Sequence, residues 1–273
     1  FYAYSRDGKT WTDINGSRPV FNAYDDEVWL RDPYLHRVTH NGKTKFHLIH
    51  TWGWDHPALF HWESDDLIHW TAANGGTRTD DGKIMLMDGH DGGPVSPNAW
   101  APEFTYDGQT GTFYLYWSSR IGDRQVHHYC TTKDWFTFST PAVYFDPGFT
   151  AIDMTILKEG DTYYAYYKDE RNGEKTIRCA TSKSLDPRVQ RFEGSTPLLP
   201  SRYIEVEGPE VFPAIGGKGW FLYFDKFNGD RGVSYTGCTD PSQHKWYPIP
   251  DDEIRNPTEV KHGSVEIIST AEL

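Results

Sequence analysis

A short stretch recurs along this chain at intervals of about fifty to seventy residues, the spacing of a repeat architecture rather than of independent domains. Its first occurrence is Arg31-Asp32-Pro33-Tyr34-Leu35. Cognates follow at Trp100-Ala101-Pro102-Glu103-Phe104, Ile152-Asp153-Met154-Thr155-Ile156, Glu207-Gly208-Pro209-Glu210-Val211 and Lys261-His262-Gly263-Ser264-Val265. Behind each of the first four comes a turn dipeptide (Asn41-Gly42, Asp107-Gly108, Glu159-Gly160, Gly216-Gly217), then an aromatic-rich run at 45–52, 112–119, 162–169 and 220–227. Asn-Gly and Asp-Gly between alternating apolar runs are strong hairpin signals. A third run ends each unit in a polar turn. The pattern predicts an all-β chain in which the motif stretches are the inner strands of sheets set around one axis, a β-propeller.

Five stretches imply five blades. The last unit supplies only its first strand, HGSVEIIS, whereas the opening FYAYSRDGKTW has third-strand character. The expected closure therefore joins strands from both chain ends in the last blade, which leaves few open sheet edges. The aromatic second strand of that blade is missing from both ends, so native residues are expected before Phe1. Residues 1–273 are read as one domain lacking some of its N-terminal residues. With 25 Gly and 17 Pro, long helices are not expected. The longest irregular region, 71–98, is read as an outer strand, KIMLMD, with a loop at the rim of the channel.

Composition excludes several partners. A formal charge of -12 repels phosphate backbones, so nucleic acid is not an expected partner. No apolar run approaches a membrane span and the mean hydropathy is -0.69, so no membrane partner is expected. Aromatic residues make up 16% of the chain, which serves strand packing and equally the flat apolar faces that sugars stack on. Cys130, Cys179 and Cys238 fall at the same place in their units and match no zinc or redox spacing; they are read as small buried side chains of equivalent strands. The histidines at 47, 50, 56, 61 and 69 show no spacing that demands zinc.

The chemistry-bearing residues are acids. Asp32, Asp153 and Glu207 stand at the start of three motif stretches, and inner strands of a propeller end at a common mouth. An isolated Asp is ordinarily a turn or surface residue; a shared phase in a repeat argues for convergence. Cutting a glycosidic bond requires one carboxylic acid and one carboxylate on opposite sides of the sugar. Crowding and burial are expected to raise at least one of their pKa values. Glu205 and Glu210 compete with Glu207 for the acid role, but only Glu207 directly precedes Gly-Pro.

Asp32 in RDP, Asp153 in AIDMTI, Glu207 in VEGPEVF and His262 in HGSV, with WAPEF between the first two, resemble glycoside hydrolase family 43 over the whole chain. That family comprises five-bladed propellers that remove pentoses, and sometimes galactose, from plant polysaccharides. The resemblance implies a catalytic domain in which Asp32 is the general base, Glu207 the general acid, and Asp153 the residue that orients the acid. It implies inversion at the anomeric carbon and an oligosaccharide or polysaccharide partner, hence a secreted or periplasmic location. Arg31, Trp52, Trp100, Glu103 and His262 are the expected substrate-binding set. The resemblance further places His262 near the axis beside a structural calcium ion, contacted through water, or beside a water cluster, with no other cofactor required. The expected activity is exo-acting release of terminal α-L-arabinofuranose. β-D-Xylosidase and exo-β-1,3-galactosidase activity are the alternatives on the same fold, and a non-catalytic carbohydrate-binding propeller is the alternative of another class.

Overall fold

A computed structural model describes the chain except residues 21–29, 73–81, 200–204, 217, 228–231, 239 and 259. A short N-terminal pair, β1 (Ala3–Ser5) and β2 (Trp11–Asp13), precedes four antiparallel sheets. The first sheet contains β3 (Leu30–His40), β4 (Lys43–Trp52), β5 (Ala58–Ser64), β6 (Thr71–Ala72) and β7 (Lys83–Met85), the last two both pairing with β5. The second is β8 (Trp100–Asp107), β9 (Thr112–Ile121), β10 (Arg124–Thr132) and β11 (Ala142–Phe145) in sequence order. The third is β12 (Ala151–Glu159), β13 (Thr162–Asp169), β14 (Ile177–Ser182) and β15 (Glu193–Pro197). The fourth is β16 (Val206–Pro213), β17 (Trp220–Lys226), β18 (Gly232–Cys238) and β19 (Tyr247–Pro248). Each motif stretch forms the first strand of its sheet, and β8 lies between β3 and β12 as β12 lies between β8 and β16. The arrangement is an all-β propeller.

Apolar seams join successive sheets. Val38, Ile49 and Leu59 pack on Phe104, Phe113 and Trp117 between the first and second. Tyr144 and Phe145 meet Met154 and Tyr167 between the second and third, and Tyr166 and Cys179 meet Leu222 and Phe224 between the third and fourth. All three cysteines are free and buried in the third strands β10, β14 and β18, as their common phase predicts. KIM of the expected outer strand is β7; residues 73–81 of the rim loop and Gly217 of one turn lie outside the described residues. Asp107-Gly108 does not close a two-residue hairpin. The chain continues through Gly111, whose N–H bonds to Asp107 O at 2.8 Å, so the loop spans four residues.

Among the described residues there are four such sheets, not the five blades that the repeat count predicts. Residues 262–267 instead run between β16 and β3 without a strand ladder. Its groups pair with both neighbours through side chains. Ser264 Oγ accepts Leu35 N–H (2.6 Å), Glu266 accepts Arg37 N–H (3.0 Å), and Val265 N–H donates to Glu210 (3.1 Å). The N-terminal pair joins the C-terminal region through a parallel bridge of Thr10 with Arg255, and Asp13 holds Thr258. Phe212 and Tyr223 of the fourth sheet pack on Trp11, Ile254 and Val265 from the two chain ends.

Glu266 is therefore a fastener of the seam, since it also meets His36 Nδ1 at 2.8 Å. Glu266→Ala leaves the Arg37 amide without its acceptor and is expected to destabilise by about 1–3 kcal/mol. Urea unfolding should show a lower midpoint with an unchanged slope.

Candidate active site

Each inner strand carries one residue in the left-handed region at the same place: Asp32 (φ 48), Ala101 (φ 45), Asp153 (φ 55) and Gly208 (φ 57). In all four cases the pairing register with the second strand slips there, as in a β-bulge. A bulge re-aims side chains and sits characteristically beside functional sites. Asp32 and Asp153 thus share a phase, but Glu207 does not. It occupies the position before the bulge, equivalent to Arg31, Trp100 and Ile152, which corrects the expected common phase. Gly208 takes the bulge instead, because a Cβ there would lie 2.9 Å from the His262 ring. The position after the bulge plus one carries Tyr34, Glu103, Thr155 and Glu210, a deeper layer of the channel.

A second set of residues holds these strands in place. Opposite the pre-bulge positions on the second strands stand Thr51, Ser118, Lys168 and Asp225. Each reaches forward to the next inner strand. Thr51 Oγ1 accepts Ala101 N–H (2.8 Å), and Ser118 Oγ accepts Asp153 N–H (3.3 Å). Lys168 Nζ donates to Glu207 Oε2 (2.8 Å), and Asp225 Oδ2 accepts His262 N–H (2.7 Å). His262 Nδ1 then meets Asp32 Oδ1 at 3.2 Å, which returns the circuit to the first sheet. Sequence reasoning passed over these four. The available signal was a polar residue near the end of each aromatic strand: HTW, WSS, YKD and FDK.

The electrostatics divide the carboxyls. Burial opposes ionisation of Asp32, but the bond and charge of His262, with Arg31 4.0 Å away and a 3.1 Å bond from Thr51 Oγ1, hold its carboxyl below the ordinary value. Asp153 is pushed up to about 6 by burial; His262 and Lys168 oppose this, while Glu207 and Asp32 add to it. Its Oδ2 accepts Gly208 N–H at 3.1 Å, so it grips the residue beside Glu207. Asp225, not anticipated from the sequence, is also pushed up to about 6 by burial. For His262 burial favours the neutral ring, yet Asp32, Asp153 and Asp225 together raise it to about 10. Lys168 is buried, and Asp153, Glu207 and Glu170 raise it above its usual value despite that burial. Its ammonium is shared between Glu207 and Glu170, the latter at 2.7 Å. Glu207 keeps 35% of its side chain exposed at the rim, accessible to a ligand.

The expected binding residues separate. The Arg31 guanidinium lies 3.5 Å over the Trp54 ring, and Trp54 meets Trp100 edge-on and accepts the Trp100 indole N–H at its carbonyl (2.6 Å). These three form one wall of the mouth. Trp52 is stacked on His56 (3.9 Å) with Lys83 4.4 Å from its ring centroid. Glu103 is buried, hydrogen-bonded by Tyr116 and set beside Glu210, which raises its value well above the usual range after burial itself. It belongs to the deep layer, away from the mouth where it was expected to bind substrate. Glu210 is likewise buried and pushed up to about 8, in contrast to the partly exposed Glu207. The His262 ring is engaged by Asp32 through Nδ1 at 3.2 Å, so a calcium ion beside it, which takes six to eight oxygen ligands, would draw them from other groups and water.

Away from the mouth, the structure brings His47, His61 and Glu63 together in the first sheet, which their spacing did not signal. His47 Nδ1 lies 2.9 Å from His61 Nε2 beneath Trp135, and burial lowers both rings, His47 to about 3. They form a neutral, mutually bonded pair in an aromatic layer, and Lys45 sits 3.5 Å from Glu63.

The whole chain, residues 1–273, matches a family model described as a probable glycosyl hydrolase domain, related to glycoside hydrolase family 43. A curated α-L-arabinofuranosidase of Bifidobacterium longum subsp. longum is 27% identical over 249 residues, 74% of this chain. The chain spans only 22% of that relative's length. A family 43 β-1,3-galactosidase superposes with TM-score 0.64 at 14% identity, over 90% of this chain and 52% of that one. A family 43 protein of the Bacteroides ovatus xyloglucan locus gives 0.62 at 18%, over 88% and 43%. The α-L-arabinofuranosidase of Podospora anserina in complex with cellotriose gives 0.60 at 13%, over 93% and 78%. At these identities the solved structures share the fold.

Two predictions follow from the geometry. Ala101 tolerates the bulge conformation, so the decisive contact at Gly208 is the His262 ring; Gly208→Ala is expected to cost about 1–3 kcal/mol and most of the activity. Thermal unfolding and a glycosidase assay on the same sample check both. A group whose value is raised by folding stabilises most below its unfolded value and loses that contribution as pH rises through the folded one. Asp153 and Asp225, raised from 3.8 to about 6, and His262, raised from 6.5 to about 10, all have this sign. Buried His47 and His61 have the opposite sign and offset the Asp contribution at acid pH, whereas the His262 contribution is lost from pH 6.5 to 10, so the urea-unfolding stability lost on His262→Gln should shrink across that window.

Proposed function

The chain belongs to glycoside hydrolase family 43, and on that footing we propose that it is an exo-acting, inverting glycosidase that releases terminal α-L-arabinofuranose from plant polysaccharide side chains. The observation that carries the reading is the pair of unlike carboxylates across Asp153: Asp32 held charged by His262, and Glu207 half-open at the rim. The terminal sugar is taken from the curated arabinofuranosidase relative. A substrate of this class lies outside the cell, so we place the enzyme there. We also read the N-terminal pair and residues 262–267 as a reduced fifth blade.

In this mechanism Asp32 accepts a proton from a water, whose oxygen attacks the anomeric carbon as the bond to the leaving oxygen breaks. Glu207 gives its proton to that oxygen. Asp153, bonded to Gly208 N–H, fixes the strand that presents Glu207, and Lys168 has Glu170 as its second partner when Glu207 turns to the substrate. Arg31 and Trp100 offer a stacking wall and a guanidinium to the sugar. A purely carbohydrate-binding propeller would gain nothing from burying Asp153 and Asp225 beside a histidine cation.

Glu207→Gln and Asp32→Asn are each expected to lower kcat by about 10²- to 10⁴-fold while sugar binding persists. Aryl α-L-arabinofuranoside, β-D-xyloside and β-D-galactoside should be screened together, with cleavage of the arabinofuranoside expected. NMR of the first product should show the inverted anomer; a retained anomer would exclude Asp32 as a base acting through water.

A further inference from the structure

A cavity of about 430 Å³ opens beside the site, between the second and third sheets. Its walls include Trp100, Arg120, Asp123, Gln125, Ile152 and Glu170; Asp32, Asp153 and Glu207 do not line it. The volume falls within the range of about 300–1,000 Å³ typical of small-ligand pockets. We propose that this cavity is the subsite for the leaving-group sugar, and that it takes a neutral, polyhydroxylated ring. The inference rests on the glycosidase reading above and adds to it where the remainder of the substrate lies.

Three observations carry it. First, the cavity is tied to the acid: its wall residue Glu170 accepts from Lys168 Nζ at 2.7 Å, and the same ammonium holds Glu207 at 2.8 Å. A general acid must face the leaving oxygen, whereas the base faces the attacking water, so the sugar that departs belongs on the side joined to Glu207. Second, Trp100 and Ile152 occupy the same pre-bulge rim position as Glu207, so the cavity opens at the level of that carboxyl. Third, the lining matches a sugar ring. Trp100 and Ile152 give apolar faces, and Arg120, Asp123, Gln125 and Glu170 supply donors and acceptors for hydroxyls. Lys168 already meets the charge of Glu170, and Arg120 and Asp123 offset one another, so the charges balance and suit a neutral ring.

The wall is built rather than incidental. Arg120 and Asp123 flank the tight turn from β9 to β10, where Gly122 adopts φ 61. Arg124 pins that turn to Asp146 with two bonds of 2.8 and 3.1 Å, and the Arg120 amide is bonded to Ser96 and Asn98. The side chains of Arg120 and Asp123 are exposed, so their truncation leaves the core alone.

The test compares two substrates with the same terminal sugar: a 4-nitrophenyl arabinofuranoside and an arabinofuranosyl-substituted xylo-oligosaccharide. For Arg120→Ala and Asp123→Ala, the ratio of kcat/KM for the oligosaccharide to that for the aryl glycoside is expected to fall about tenfold, the effect of a lost charge-assisted hydrogen bond. Circular dichroism confirms that the variants are folded. An unchanged ratio overturns the subsite, whether both rates fall together, as they would if the cavity held the scissile sugar, or neither moves. Wild-type enzyme active on the aryl glycoside with an unchanged ratio in the variants sinks the subsite alone. Wild-type enzyme inert on every glycoside removes the glycosidase reading, and the subsite with it.

Discussion

The site depends on a circuit of contacts in which the second strand of each sheet clasps the first strand of the next. Thr51, Ser118, Lys168 and Asp225 stand at one register position and reach Ala101, Asp153, Glu207 and His262 in turn. Van der Waals packing between sheets sets their distance but tolerates sliding, because apolar contacts are non-directional. Directional bonds at the mouth fix the register of one inner strand against the next. The bulges then aim Asp32 and Asp153 inward while the pre-bulge residue stays on the rim.

His262 completes this circuit and is its only contribution from beyond the fourth sheet. Its amide is held by Asp225, its ring by Asp32, and its bulk is accepted by a glycine. A buried ion pair is costly to form but more costly to break on one side, since the remaining charge then has no partner. His262 holds Asp32 below the ordinary carboxylate value, whereas at Asp153 and Asp225 burial outweighs the field of the same ring and pushes both up. The division of labour among chemically similar acids thus follows from their distance to one cation and their depth.

The seams around the disc differ in kind. Three are aromatic and aliphatic, joining sheets made from continuous sequence. The seam between residues 262–267 and the first sheet is polar, with Ser264, Glu266 and Glu272 meeting Leu35, His36 and Arg37. A lone extended segment has no ladder of its own and must satisfy its backbone from side chains, since unpaired buried amides are expensive. The acids of the deep layer, Glu103 and Glu210, serve the same need: Glu210 receives Val265 N–H and Thr155 Oγ1.

The recurring motif and its spacing were enough to establish strand order within each sheet, the all-β class and the burial of the cysteines, because alternation and turn chemistry are local properties of the chain. The common phase of Asp32 and Asp153 was legible for the same reason, but that of Glu207, one position before the bulge, was not. The number of regular sheets was not, since whether HGSVEIIS forms a ladder depends on a partner strand and not on its own residues. Nor could Asp225 and Lys168 be told from ordinary ends of aromatic strands, or the buried Glu103 from a residue facing a sugar. Their neighbours come from other sheets, and proximity across a seam has no signature in sequence separation. What the sequence determined was the recurrence of the inner strands and their turns; how Asp32 and Asp153 differ in their hold on a proton was decided only by the tertiary structure, because burial and the field of His262 exist only once strands distant in sequence are packed together.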